Sequence, residues 1–190
     1  MDVIGLAGRS GSGKSAAARE LSKREAVAWI DLDRVAWETY RPRTPTYWRL
    51  VSRFGRGILA ADGAVDRPRL AELAFSDEKG HEDLDAIVHP TVVERLREII
   101  HEEEARGTRL LLVEGALLAS SPHVDRTLFR AILWLEASDK TRRLRLERAG
   151  RRRHEERTLE EPEPEKILRI DADESIPKTV QRIVETIERL

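Results

Sequence analysis

The sequence predicts an α/β fold built on a five-stranded parallel sheet, and three observations carry that prediction. Short, nearly continuous apolar runs recur along the 190 residues, stretches of helical periodicity alternate with them, and a glycine-rich loop joins the first run to the first helix. Runs of that kind are strands buried on both faces, as helices on either side of a parallel sheet require. The length suits one domain with a small inserted subdomain and leaves no space for a second full domain.

The elements follow in order. Residues 3–7 read as the first strand and 15–23 as the helix beyond the loop. Further strands are read at 27–30, 110–113, 131–135 and 167–170. The clearest helix runs from 90 to about 106, because Val92, Val93, Leu96, Ile99 and Ile100 recur at helical spacing and Gly107 can end it. The closing helix repeats the pattern with Val180, Ile183, Val184 and Ile187, behind Ser175 as a candidate N-cap. Between the second and third strands, residues 34–87 show no convincing strand. That is too long for a plain crossover, and it predicts a helical insertion that holds an acceptor. Residues 151–165, an Arg/Glu/Pro stretch, read as a linker or as part of a short lid spanning 141–165.

Composition excludes several classes. The 34 basic and 35 acidic residues nearly cancel, so no global field points to nucleic acid or an anionic membrane. With no cysteine there is no disulfide scaffold, cysteine nucleophile or cysteine-bound zinc. The longest aliphatic run, 110–113, is far below the roughly 20 residues that span a bilayer. Residues 1–7 lead into the loop without the pattern of a secretory signal, so the expected compartment is the cytoplasm. Nothing in the sequence speaks to oligomeric state.

The loop reads Gly8-Arg9-Ser10-Gly11-Ser12-Gly13-Lys14-Ser15, which is Gly, four residues, Gly, Lys and Ser between a strand and a helix. Its glycines let backbone N–H groups turn toward the β-phosphate of a nucleotide, Lys14 bridges the β- and γ-oxygens, and the Ser15 hydroxyl can ligate Mg²⁺. The expected phosphate contacts are Gly8, Ser10, Gly11, Ser12, Gly13, Lys14, Ser15 and, in the first helical turn, Ala16. Ala16, Ala17 and Ala18 are also small enough for this helix to pack closely on the sheet.

A loop of this type serves ATPases, GTPases and small-molecule kinases alike. No Asn/Thr-Lys-x-Asp guanine signature is present. Glu114 ends the 110–113 run, where ligands of parallel sheets collect, and is the nearest equivalent of a metal-organising carboxylate; a strand-end carboxylate in water accounts for it equally well. Asp31 and Asp33 follow the second strand. A kinase acting on an alcohol needs a carboxylate to orient the hydroxyl and take its proton, and Asp33 is the candidate base, with a helix N-cap as the other reading. The insertion carries a local excess of arginine, Arg34, Arg41, Arg43, Arg49, Arg53, Arg56, Arg67 and Arg69, which suits an anionic acceptor. Trp29, Trp37, Tyr40, Tyr47 and Trp48 offer surfaces for an adenine, although core packing is the commoner use of such residues. Arg142, Arg143, Arg145, Arg148, Arg151, Arg152 and Arg153 follow the fourth strand. Arg148, one helical turn from Arg152, is the candidate for neutralising charge on the transferred group; a solvated helix paired with glutamates is the alternative.

With these residues in view, the chain resembles the dephospho-CoA kinases, which catalyse the last step of coenzyme A synthesis. The resemblance runs through Ile30-Asp31-Leu32-Asp33, Phe54-Gly55, Ile58-Leu59, Asp62-Gly63-Ala64-Val65-Asp66-Arg67, the block 70–75, Ile87-Val88-His89-Pro90 and Glu114-Gly115-Ala116-Leu117-Leu118. It implies a three-layer P-loop kinase fold over 1–190, with a CoA-binding helical insertion at 34–87 and a lid at 141–165. It implies ATP as donor, Mg²⁺ as cofactor and the ribose 3′-hydroxyl of dephospho-CoA as acceptor. By position it makes Asp33 the base and sets Arg67 and His89 in or beside the acceptor site. The chain departs from the family pattern after Arg148, where 151–165 is short and charged and Lys166 stands near a family lysine, and at Asp171-Ala172-Asp173 near the last strand. The residues alone leave open a kinase of a nucleoside, nucleotide or other metabolite, and an ATP-dependent binding module without turnover.

Overall fold

Five strands hydrogen-bond in the order β2-β3-β1-β4-β5, every neighbouring pair parallel, in a computed structural model that describes residues 1–76, 78–115, 118, 124–150 and 167–190. The strands are β1 (Asp2–Ala7), β2 (Val27–Asp31), β3 (Leu110–Glu114), β4 (Ala131–Glu136) and β5 (Ile167–Asp171). The helices are α1 (Lys14–Leu21), α2 (Leu32–Thr39), α3 (Pro45–Phe54), α4 (Arg67–Ala74), α5 (Glu78–Ala105), α6 (Asp139–Arg148) and α7 (Ile176–Glu188). The predicted α/β class and the five strands are therefore present.

The chain forms two compact units, Met1–Asp31 with Ile100–Leu190, and Leu32–Ile99. The first contains the whole sheet. Period-2 alternation sends Ile4, Leu6, Leu112, Leu133 and Leu135 to one face, where Ala17, Ala18 and Leu21 of α1 and Val180 and Ile183 of α7 complete a buried core. Val3, Leu111, Val113, Ile132 and Trp134 occupy the opposite face and are also buried. Fully burying each such side chain contributes about 1.5–3 kcal/mol. Ala17 and Ala18 permit close approach of α1, whereas Ala16 is exposed.

The second unit is helical. Leu50, Ile58, Leu70 and Ile87 form its core, with Tyr40, Phe54, Val65 and Val88 packed against them. A short turn at Asp62 and Gly63 brings Leu59 and Val65 into an antiparallel bridge, and Gly63 takes the positive φ of 80° that the turn requires. Asp66 then caps α4 by accepting from the Arg69 amide at 3.2 Å, which sets Arg67 as the first helical residue.

Two local expectations are corrected. The helix expected to begin at Pro90 begins at Glu78 and carries Pro90 inside it. The missing N–H of a proline removes only one ladder bond, and Ile87 with Leu84 and Val88 anchors the upstream turns in the second core. Ser175 does sit at the N-cap of α7, but its side chain makes no capping hydrogen bond. Gly107 ends α5 as read: at φ 83° it allows Gly107 N–H to reach Glu104 O at 3.0 Å and Thr108 N–H to reach Glu103 O at 3.0 Å.

Candidate nucleotide and acceptor sites

The loop between β1 and α1 has glycines where side chains do not fit. Gly8 has φ 141°, and a Cβ there would lie 2.5 Å from the Leu135 carbonyl oxygen; Gly11 has φ 81° and would place one 2.7 Å from Arg142 O. Four of the loop's carbonyls accept from cationic side chains. Lys14 Nζ donates to Gly8 O at 2.8 Å and Arg9 O at 3.2 Å. Arg142 donates to Ser10 O at 3.1 Å, and Arg145 to Ser12 O at 2.8 Å. Within the loop the Ser12 amide donates to Arg9 O at 3.1 Å, and the loop leads directly into the first turn of α1.

The two arginines lie on α6, in the group that the sequence leaves open between charge neutralisation over ATP and a solvated helix face, and in the structure they donate to the loop's own carbonyls. Arg145 also donates to Ala172 O at 2.9 Å and Glu174 O at 2.7 Å, and burial pulls its pKa below the ordinary value. Arg142 is itself buried, pairs with Asp139 at 2.6 Å and keeps its Nε without a partner. Arg148 is exposed at the end of α6, while Arg151, Arg152, Arg153 and Lys166 lie outside the described residues, as do Ala116 and Leu117.

Glu114 is not in water. It is 7% exposed at the end of β3, and its Oε1 accepts from the Ser15 hydroxyl at 2.6 Å. Parallel pairing sets Asp31 opposite Glu114 and Trp29 opposite Leu112, so Trp29, Asp31 and Glu114 share one face of the sheet. Burial raises the Glu114 pKa above the usual carboxylate range; the Ser15 bond and Lys14 oppose the rise, Asp31 adds to it, and the Trp29 indole also favours the anion. Neither Trp29 Nε1 nor Glu114 Oε2 makes a bond of hydrogen-bond geometry, and both are buried. A buried carboxylate oxygen left without a donor beside a serine hydroxyl suits a hard cation. Among the described residues no three His, Cys, Asp or Glu side chains gather as a self-sufficient metal cluster. The pair thus fits a Mg²⁺ that takes its other ligands from phosphate and water, which is how such sites are commonly built.

The second unit holds the other predicted residues. Asp33 lies in the first turn of α2, inside the helix rather than at its cap. Trp37, one turn later, has the Arg67 guanidinium over its ring at 3.4 Å from the centroid. Tyr40 packs on the local core; burial pushes its phenol up to about 12, Arg67 lowers it and Asp33 raises it. His89 Nε2 lies 3.3 Å from Asp85 Oδ1 within α5. Tyr47 is core, its hydroxyl donating to Gly63 O at 2.9 Å, and Trp48 is exposed with its ring edge-on to Tyr47. Trp29 is packed against the first core, with Arg19 5.7 Å from its ring centroid.

Sheet order, loop and the Ser15–Glu114 pair define the class: this is a P-loop nucleotide-binding fold. Comparison with known proteins narrows it. The model of the dephospho-CoA kinase family matches residues 2–181. A dephospho-CoA kinase of Corynebacterium glutamicum is 35% identical over 178 residues, covering 94% of this chain and 84% of the relative. That of Thermobifida fusca is 38% identical over 123 residues, covering 65% of this chain and 60% of the relative. The structure of a dephospho-CoA kinase from Campylobacter jejuni superposes with a TM-score of 0.62 at 15% identity, covering 98% of this chain and 95% of that one, and supports the fold. The chain belongs to the dephospho-CoA kinase family, enzymes that use ATP to phosphorylate dephospho-CoA. Among the described residues no helix is long and apolar enough to cross a membrane.

Proposed function

We propose that this chain transfers the γ-phosphoryl group of ATP to the ribose 3′-hydroxyl of dephospho-CoA with Asp33 as base and the 8–15 loop as phosphate cradle. The observation that carries the residue assignment is the loop itself, with glycines where side chains do not fit and carbonyls that accept from Lys14, Arg142 and Arg145. In this reading the amides of Gly8, Ser10, Gly11, Gly13 and Ala16, and that of Ser12 on leaving Arg9 O, bind the α- and β-phosphates, and Lys14 leaves its carbonyl partners for the β- and γ-oxygens. Asp33 accepts the proton of the 3′-hydroxyl as its oxygen bonds to the γ-phosphorus. The bond from that phosphorus to the β-bridging oxygen breaks, and ADP leaves with the electron pair. Arg148 neutralises charge on the transferred group, while Arg67 and His89 hold the acceptor. Mg²⁺, when bound, would be held by Ser15 and, directly or through water, by Glu114, and it supplies charge neutralisation on the phosphates. The working compartment is the cytoplasm, and the substrates are small molecules rather than nucleic acid or membrane.

The test is ADP release coupled to identification of product. Wild-type protein incubated with ATP, Mg²⁺ and dephospho-CoA yields coenzyme A phosphorylated at the 3′ position, whereas nucleosides and nucleotides yield no comparable product. Asp33→Asn lowers kcat by about 10²–10⁴-fold with little change in KM for ATP. Turnover with nucleosides but not dephospho-CoA would overturn the acceptor, and near-wild-type kcat in Asp33→Asn would overturn the base.

A further inference from the structure

Trp37 is exposed over 42% of its surface. What distinguishes it is Arg67, whose guanidinium carbon lies 3.4 Å from the centre of the indole ring. A guanidinium stacked flat on an aromatic face keeps all its N–H donors at its edge, available to an anion, and gives up much of the rotamer freedom that a lone exposed arginine would retain. Both partners are placed by secondary structure. Trp37 sits on α2, and Arg67 is the first residue of α4 behind the Asp66 cap and ahead of Pro68.

Along α2, Asp33 and Trp37 are four residues apart and lie on one helical face, separated by about 6 Å of rise. Tyr40 continues that face at the end of the helix, and its phenol senses both Asp33 and Arg67. One strip of the second unit thus carries a carboxylate and, one turn away, the ring on which the Arg67 guanidinium lies. In dephospho-CoA a single ribose separates the 3′-hydroxyl from the 5′-linked pyrophosphate, so a carboxylate and a cation on one strip match its two ends.

We propose that Trp37 is a positioning and specificity residue that holds the Arg67 guanidinium edge-on to the pyrophosphate of dephospho-CoA while Asp33 meets its 3′-hydroxyl. The inference rests on the acceptor assignment above. It assigns to an aromatic side chain a role in reading the acceptor's phosphate rather than its base. Acceptors lacking a 5′-phosphate gain nothing from the pair, so the stack selects for phosphorylated acceptors.

The test is equilibrium binding by titration calorimetry, with dephospho-CoA, ATP and adenosine titrated separately into wild type, Trp37→Leu, Trp37→Phe, Arg67→Met and the Trp37→Leu/Arg67→Met double variant. Trp37→Leu is expected to weaken dephospho-CoA binding roughly fivefold to tenfold, and Trp37→Phe, which keeps a ring, by less than about threefold. The double variant is expected to be no weaker than Arg67→Met alone, because the indole acts through the guanidinium. Affinities for ATP and adenosine, and the melting temperature, stay near wild type. Wild-type affinity for dephospho-CoA in Trp37→Leu, additive losses in the double variant, or equal losses for all three ligands would each overturn the inference. Failure of the wild-type protein itself to bind dephospho-CoA would instead overturn the acceptor assignment, and this inference with it.

Discussion

Tyr40 shows how a single side chain reports on the site around it. Its phenol packs against the Leu50, Ile58, Leu70 and Ile87 core, and burial moves its pKa from 10.0 to about 12, with Asp33 pushing the same way and Arg67 opposing. Below the ordinary value the phenol is neutral in folded and unfolded chains alike. Between that value and about 12 the unfolded chain ionises first, so the stability from the buried neutral phenol is lost as pH rises through this window. Urea unfolding at about pH 9 and about pH 11 should therefore show a larger drop for wild type than for Tyr40→Phe, and equal drops would mean that the phenol is not buried in solution. Residues of this kind were only half legible in the sequence. The loop glycines, Lys14 and Ser15 announce themselves because nothing else satisfies that spacing. The burial of Glu114 did not, because a carboxylate ending an apolar strand reads the same whether it meets water or a serine hydroxyl.

At the scale of elements, α6 is the one whose role changed most between sequence and structure. It is strongly polar, and its inward face is built from Arg142, Arg145 and Leu146 rather than from an apolar stripe, so periodicity gave no hint that it supports the loop. Arg145 alone joins Ser12 O to Ala172 O and Glu174 O, tying the nucleotide loop to the turn between β5 and α7. Its loss leaves three carbonyls without that donor and the loop less ordered for phosphate. Arg145→Met is expected to weaken ADP and ATP binding about tenfold while leaving dephospho-CoA binding unchanged. Arg145→Lys should recover only part of the loss, since an ammonium cannot span three acceptors as a planar fork does. If the methionine variant bound ADP like wild type, the loop would hold its form without α6. The strands, by contrast, were legible to within a residue or two because buried parallel strands leave dense apolar runs. The start of α5 was not, since proline marks helix starts more often than helix interiors and the anchoring contacts of Leu84, Ile87 and Val88 are tertiary.

For the whole molecule, the proposed assignment of donor and acceptor to the two compact units has a readout in solution. The phosphate loop, Glu114 and the supporting arginines belong to Met1–Asp31 and Ile100–Leu190, whereas Asp33, Trp37, Arg67 and His89 belong to Leu32–Ile99. A ligand that binds only the native form of a unit raises the free energy of opening that unit, by about 2.7 kcal/mol at a concentration 100 times its Kd. Amide exchange through such openings then slows about 100-fold. ATP is therefore expected to slow exchange in β1, the 8–15 loop and α1, and dephospho-CoA to slow it in α2 and the first turn of α4. Each ligand added alone should leave the other set largely unchanged. Hydrogen exchange followed by peptide mass spectrometry resolves the two sets. Protection of 32–99 by ATP alone, with the loop unaffected, would reverse the assignment of donor and acceptor to the two units, because a nucleotide that leaves the 8–15 amides exchanging freely is not held by them.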